Sequence, residues 1–150
     1  MQDSVVATQV VDCMTPFLVT LGKYDSVAEA YEKMTMNHIR RIPVMDHDRL
    51  IGIITLSDIL RFKPAEIGRF LSFKEMSDKL DKLIVELVMT PDPIVVFQSD
   101  PVGYAAELML DNKIGGLPVL DASKKLVGLI TESDIFRLLA KQWRLNSASR

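Results

Sequence analysis

Residues 52–58 read GIITLSD and residues 128–134 read GLITESD, so the same glycine, isoleucine, threonine, serine and aspartate return in the same order. Working outward, the match extends in both directions. Leu50, Ile59 and Arg61 meet Leu126, Ile135 and Arg137 at a shift of 76 residues, as from Gly52 to Gly128. Upstream the shift is 75 residues, as from Met14 to Met89: Met14, Thr15 and Pro16 return as Met89, Thr90 and Pro91, and Asp25, Asn37, Pro43 and Asp46 as Asp100, Asn112, Pro118 and Asp121. One residue has been inserted where DHDR (46–49) becomes DASKK (121–125), and a polar loop tolerates such an insertion. The chain is therefore one unit written twice, which fixes the architecture before any motif is interpreted.

Each copy predicts the same elements. A short apolar strand, Phe17 to Thr20 or Ile94 to Phe97, leads through a polar turn to a helix. In the first copy Val27, Ala30, Tyr31 and Met34 fall at helical spacing, and Ser26 with Glu29 has the form of a capping box. Two β-rich runs follow, Ile42 to Met45 and Leu50 to Ile54, and the second copy has LPVL and LVGLI about its longer turn. A second helix begins at Thr55 or Thr131, with Ile59 and Leu60, or Ile135, Phe136, Leu138 and Leu139, expected to face inward. The unit is β-α-β-β-α and the fold class α/β, in the mixed α+β sense. A copy of roughly 50 to 60 residues builds little core alone, so the two are expected to pack as one domain with pseudo-twofold symmetry. Repeat one spans about 10–62, a bridging segment 63–88 and repeat two 89–143. In the bridge, Met76, Leu80, Leu83, Ile84 and Leu87 form a helical stripe. Phe62, Ile67, Phe70, Leu71 and Phe73 crowd the segment before it, as core or as a partner-facing surface.

The composition narrows the function classes. With 48% apolar and 25% charged residues, the chain is ordinary for a globular protein. The net charge of −2 leaves no general positive field for DNA, and nucleic acid is a disfavoured partner. Cys13 is the single cysteine, which excludes an internal disulfide and a cysteine zinc cluster, suits a reducing compartment, and reads as a small buried apolar residue. The start, MQDSVVATQVVD, lacks the basic and apolar regions of a secretory signal, and no apolar run approaches the ~20 residues of a membrane span. A cytoplasmic location is expected. His38 and His47 have no metal-ligand spacing and are expected on the surface, at a helix end and in a turn. No nucleophile elbow, dinucleotide fingerprint or phosphate loop is present, so neither a catalytic residue nor a metal site has a candidate.

The GxxTxxD run admits two readings. Thr and Asp three apart at a strand-to-helix junction form a capping box, which alone explains the spacing. The same junction presents free N–H groups and a positive dipole end to a phosphate, a carboxylate can accept both hydroxyls of a ribose, and a glycine lets backbone approach a flat ring.

With MTP opening each copy, then IPV or LPV, an acidic turn and GxxTxxD, the chain resembles a tandem of two cystathionine beta-synthase (CBS) domains, known as a Bateman module, from about Val10 to Leu139. The resemblance implies an α/β sandwich with two clefts between the copies that bind adenosine compounds, commonly AMP, ADP or ATP, and in some members S-adenosylmethionine or NAD. By position it assigns Asp58 and Asp134 to ribose hydroxyls and Thr55, Ser57, Thr131 and Ser133 to phosphate. Thr20, Val95 and the backbone before Pro43 and Pro118 would frame adenine, and Arg40 and Arg41 match positions that reach phosphate, often that of the nucleotide held by the other copy's aspartate. Gly115 and Gly116 replace those arginines in the second copy, as a tight turn or as room for a ring. The asymmetry predicts that the site with Thr131, Ser133 and Asp134, facing Arg40 and Arg41, holds phosphate more firmly. The resemblance further implies an energy or metabolite sensor, a homodimer, and a separate regulated protein. A ligand-independent scaffold is the alternative function; a small nucleotide hydrolase is a third. Trp143 is expected to pack along the last helix, and the SASR end to fray.

Overall fold

The computed structural model describes residues 5–16, 19–61 and 73–148, which form two compact units. One comprises Val19–Pro93; the other joins Met1–Leu18 to Ile94–Arg150. Together they give a mixed α/β fold with one small sheet in each unit.

In the first unit the sheet order is β1 (Leu21–Gly22), β2 (Arg41–Asp46), β3 (Arg49–Thr55) and β4 (Thr90–Pro91). β1 runs parallel to β2, with Leu21 opposite Val44, and the connection between them is helix α1 (Val27–Asn37). Ser26 caps α1 by accepting the Glu29 N–H at 3.0 Å, as its spacing predicts, and the helix ends on His38 in the left-handed region at φ 53°. Val27, Ala30 and Met34 bury one face of α1 against Ile42, Val44 and Ile54 of the hairpin. β2 and β3 pair antiparallel about His47 and Asp48, and α2 (Leu56–Arg61) follows directly. Helix α3 (Phe73–Leu80) contributes the buried Leu80.

The other unit repeats the plan with β5 (Val96–Phe97), α4 (Val102–Asn112), β6 (Gly116–Leu120), β7 (Leu126–Thr131) and α5 (Glu132–Ala148). Val10, Val96, Val102, Ala105, Met109, Leu117, Val119 and Ile130 form its core. The inserted residue sits in the β6–β7 turn, where the Asp121 carboxylate accepts the N–H groups of Ser123 and Lys125 at 2.8 and 2.9 Å and Lys124 takes φ 62°.

The lead-in segments are exchanged between the copies. Residues preceding copy one complete the unit of copy two: Val10 N–H donates to Asp100 O at 2.8 Å, Val102 N–H to Thr8 O at 2.7 Å, and Thr15 bridges Leu129. Residues preceding copy two complete the unit of copy one: Val85 N–H donates to Asp25 O and Val27 N–H to Leu83 O, both at 2.8 Å, and β4 pairs with β3. The 75-residue shift relates these contacts, and it relates the short 3-10 turns Val10–Asp12 and Val85–Leu87 as well. Val10 and Val85 are both fully buried. The repeat thus begins before Met14, at positions where its two copies share too few residues to be seen by identity.

Several expectations are corrected. The first strands are two-residue pairings at 21–22 and 96–97; Thr20 and Val95 precede them, while Phe17 and Leu18 lie outside the described residues. The bridging helix stops at Leu80, because Leu83, Ile84 and Leu87 belong to the lead-in of the second copy, whose residues 83 and 85 bond to 27 and 25. The crowded residues Phe62, Ile67, Phe70 and Leu71 lie outside the described residues, as does the Ser149–Arg150 end. Ile59, Ile135 and Leu138 pack inward as expected, whereas Leu60, Phe136 and Leu139 are exposed. Trp143 is 72% exposed, so it does not pack along α5.

Candidate ligand-binding site

In both units the strand-to-helix junction is built by the same three devices. The first is the glycine. A Cβ on Gly128 would stand 2.7 Å from Met14 Sδ and 2.9 Å from the Thr15 carbonyl oxygen, and one on Gly52 would meet Met89 and, at 3.0 Å, the Thr90 carbonyl oxygen. These glycines therefore make room for the exchanged MTP segment, not for a flat ligand ring. MTP and GxxTxxD occur together because each copy's MTP lies against the other copy's glycine.

The second device is the capping box. Asp58 Oδ2 accepts from the Thr55 N–H and hydroxyl, both at 2.8 Å, and the Asp58 N–H donates to Thr55 Oγ1 at 3.2 Å. Asp134 Oδ2 accepts from the Thr131 N–H and hydroxyl at 2.9 and 3.0 Å. Both threonines are the last strand residues, so α2 and α5 start one position later than the spacing predicts. The third device ties the helix start to the neighbouring strand: Leu56 N–H donates to Arg40 O at 2.8 Å, and Glu132 N–H to Gly115 O at 3.1 Å. Several helix-start N–H groups are thus already satisfied within the fold, which leaves fewer for an anion than the sequence suggests.

Around these junctions each unit gathers its own part of the expected set. In the first, Arg41 lies directly across from Thr55 and Pro43 across from Ile53, with Arg40 exposed before β2. Thr20 precedes β1, and extending the Leu21–Val44 register by one residue places it beside Pro43; its carbonyl accepts from Lys33 Nζ at 3.4 Å. Ser57 is exposed and Asp58 half-buried. In the second, Gly116 lies across from Thr131 and Pro118 across from Leu129, while Val95 precedes β5 and Ser133 is exposed. Gly116 is a paired strand residue, and among the described residues no glycine has positive φ, so the tight-turn reading of Gly115 and Gly116 is corrected.

Sequence reasoning missed Arg137 and Thr15 as partners of Asp134. Asp134 is buried, and its Oδ1 accepts from Arg137 at 2.7 Å and from the Thr15 hydroxyl at 3.4 Å. The available signal was an arginine one helical turn beyond the aspartate, an i,i+3 pair. Nearby, burial first, and then the charges of Asp134 and Asp12, push the Cys13 thiol up to about 11, and its Sγ points at Val10 O, 3.6 Å away. It is a neutral packing group, as expected. His38 and His47 are both exposed, and among the described residues no group of three His, Cys, Asp or Glu side chains is placed to hold a metal ion. Among the same residues no helix is long and apolar enough to cross a membrane.

Residues 10–65 and 84–141 each match the family model of the CBS domain. The chain belongs to the CBS domain family. Two such domains in tandem make it a CBS pair, a Bateman module. It is 36% identical over 132 residues to a CBS domain-containing protein of Dictyostelium discoideum, covering 85% of this chain and 88% of that protein. To the uncharacterised protein MJ1225 of Methanocaldococcus jannaschii it is 29% identical over 133 residues, 86% of this chain but only 46% of that longer protein. Among solved structures, CBSX2 of Arabidopsis thaliana in complex with AMP is 32% identical with TM-score 0.73, covering 91% of this chain and 98% of that one. The CBS domain pair of protein MJ0100, in complex with 5'-methylthioadenosine and S-adenosyl-L-methionine, is 28% identical with TM-score 0.73, again covering 91% and 98%.

Proposed function

We propose that this CBS pair is a regulatory module, not a catalyst, that binds an adenosine-containing ligand of the AMP, ADP or ATP type. The observation that carries the reading is Asp58. Its Oδ2 is fixed by the Thr55 box while, among the described residues, its Oδ1 accepts from no protein donor on a half-exposed surface. A fixed carboxylate with an open oxygen is what a ribose diol requires. Asp134 takes the corresponding role in the other unit only when Arg137 releases its Oδ1. Thr55, Ser57, Thr131 and Ser133 supply hydroxyls to phosphate, Arg40 and Arg41 supply charge, and Thr20, Val95 and the backbone before Pro43 and Pro118 frame the base. The complexes of CBSX2 with AMP and of the MJ0100 pair with S-adenosyl-L-methionine support an adenosine ligand.

A thermal-shift panel of AMP, ATP, NAD and S-adenosylmethionine tests the proposal. A ligand at ~100 times its dissociation constant adds about 2.7 kcal/mol of stability. We expect AMP or ATP to raise the melting temperature and Asp58→Asn to reduce that rise. Calorimetry of Arg41→Ala with AMP is expected to show weakened binding. No shift with any of the four would favour the second reading, a ligand-independent scaffold, which the complete Thr–Asp caps support. Regulation by such a module acts through a homodimer or a separate protein, and the exposed Phe136, Leu139 and Trp143 on α5 are the surface we assign to that contact.

A further inference from the structure

The two junctions carry identical chemistry, Thr55, Asp58 and Arg61 in one unit and Thr131, Asp134 and Arg137 in the other, yet they stand in different states. At Asp58, Oδ1 accepts from no donor among the described residues, and Arg61, three positions on and exposed, makes no ion pair with it. At Asp134 the carboxylate is 2% exposed and both oxygens are taken: Oδ2 by the Thr131 N–H and hydroxyl, Oδ1 by Arg137 at 2.7 Å and by the Thr15 hydroxyl at 3.4 Å. Thr90, the counterpart of Thr15, forms no such bond to Asp58. A carboxylate offers about four lone-pair sites, so Asp134 has none left for a ribose.

We infer that Arg137 is a specificity-determining latch: it makes the Asp134 junction select adenosine ligands that carry an anion over neutral adenosine. The inference rests on the reading of the two aspartates as ribose acceptors. A ribose hydroxyl reaches Asp134 Oδ1 only when the guanidinium leaves it. Breaking a charge-assisted bond of this kind weakens binding by at least about tenfold unless the arginine finds another anion. Neutral adenosine offers none. A 5'-phosphate does, and the Arg137 side chain, 73% exposed, has the freedom to move from carboxylate to phosphate. The Asp58 junction has no such requirement, because among the described residues nothing holds its Oδ1.

The test is calorimetry with AMP and with adenosine on Asp58→Asn, which silences the open junction, and on the same protein with Arg137→Met added. We expect adenosine to bind at least about tenfold tighter once Arg137 is removed and AMP to gain less, so that the preference for AMP falls. Arg61→Met in the wild-type chain should leave both affinities unchanged. If Arg137→Met misfolds, Arg137→Lys, which keeps the charge without the planar fork, should shift the preference in the same direction by less. Equal changes for both ligands, or no change, overturn the latch. So does AMP binding by the wild type with none left in either Asp58→Asn protein, an outcome that spares the proposed function at Asp58. Failure of the wild type to bind AMP would instead overturn the proposed function itself.

Discussion

Gly128→Ala tests the exchanged lead-in directly, because the added methyl enters the space that the segment occupies. Its carbon would stand 2.7 Å from Met14 Sδ, 3.3 Å from Met14 Cε and 2.9 Å from the Thr15 carbonyl oxygen. The thioether can rotate away. The carbonyl cannot move alone, since Thr15 O accepts the Leu129 N–H at 3.1 Å and Thr15 N–H donates to Leu129 O at 2.8 Å. Overpacking of this kind costs about 1–3 kcal/mol, and a strained or lost backbone bond adds about 1 kcal/mol. The sum, about 2–4 kcal/mol, lowers the melting temperature by roughly 5 to 12 °C for a chain of this size. Thermal unfolding followed by circular dichroism measures it. Gly22→Ala is the control, because the nearest atom to its added carbon is 3.6 Å away, and it should melt within about 2 °C of wild type. Combining Gly128→Ala with Met14→Ala should show a coupling of at least about 0.5 kcal/mol, from the removed sulfur contact, while the carbonyl clash persists. A Gly128→Ala protein that melts within about 2 °C of wild type would refute the packing argument.

Three further outcomes are expected. In urea unfolding, Asp58→Ala should cost about 1 kcal/mol, the worth of a cap, and Asp134→Ala about 2–4 kcal/mol, because Arg137 and Thr15 lose their partner as well; equal costs would contradict the difference in burial. Cys13, with its thiol held near 11 against a usual 9.0, should react with iodoacetamide at pH 8 about a hundredfold more slowly than a free thiol, and the rate should climb with pH until about 11. The stability linked to that thiol is complete below its ordinary value and is lost as pH rises from there toward 11. Lys23, 2.9 Å from Asp46, holds that carboxyl below its usual value, so Lys23→Met should move the Asp46 midpoint upward in a carboxyl NMR titration; its contribution is present above the ordinary carboxylate range and lost as pH falls through the lowered midpoint.

Much of the fold was legible because local patterns decide it. The hairpins are apolar, β-rich runs about polar turns, α1 carries its buried residues at helical spacing behind a Ser26 cap, and the inserted residue falls in the β6–β7 turn. Repeated residues mark repeated hydrogen bonds: Asp25 and Asp100 each accept an N–H three positions back at 2.7 Å, and Asn37 and Asn112 each donate to the carbonyl four back. The lead-in exchange was not legible, since its backbone pairings join residues from 37 (Ile53 and Thr90) to 114 (Thr15 and Leu129) apart, and a stripe such as Leu80, Leu83, Ile84 and Leu87 fits helical periodicity whether or not the chain stays helical. At the candidate site the box was readable from its three-residue spacing. Two features were not: that Gly128 serves packing, and that Asp134 already has a guanidinium. Both depend on which distant side chain arrives, and no local pattern encodes that.

The exchange also governs where the polypeptide can be divided. A cut just before Val85 would leave each half without the β-pairing and buried valine that finish it, whereas cuts near 18–19 and 93–94 would keep every unit's own sheet together. A single-copy polypeptide of this design would have to lend its leading segment to a second molecule and borrow one back, so duplication within one chain replaces an obligatory partnership between two.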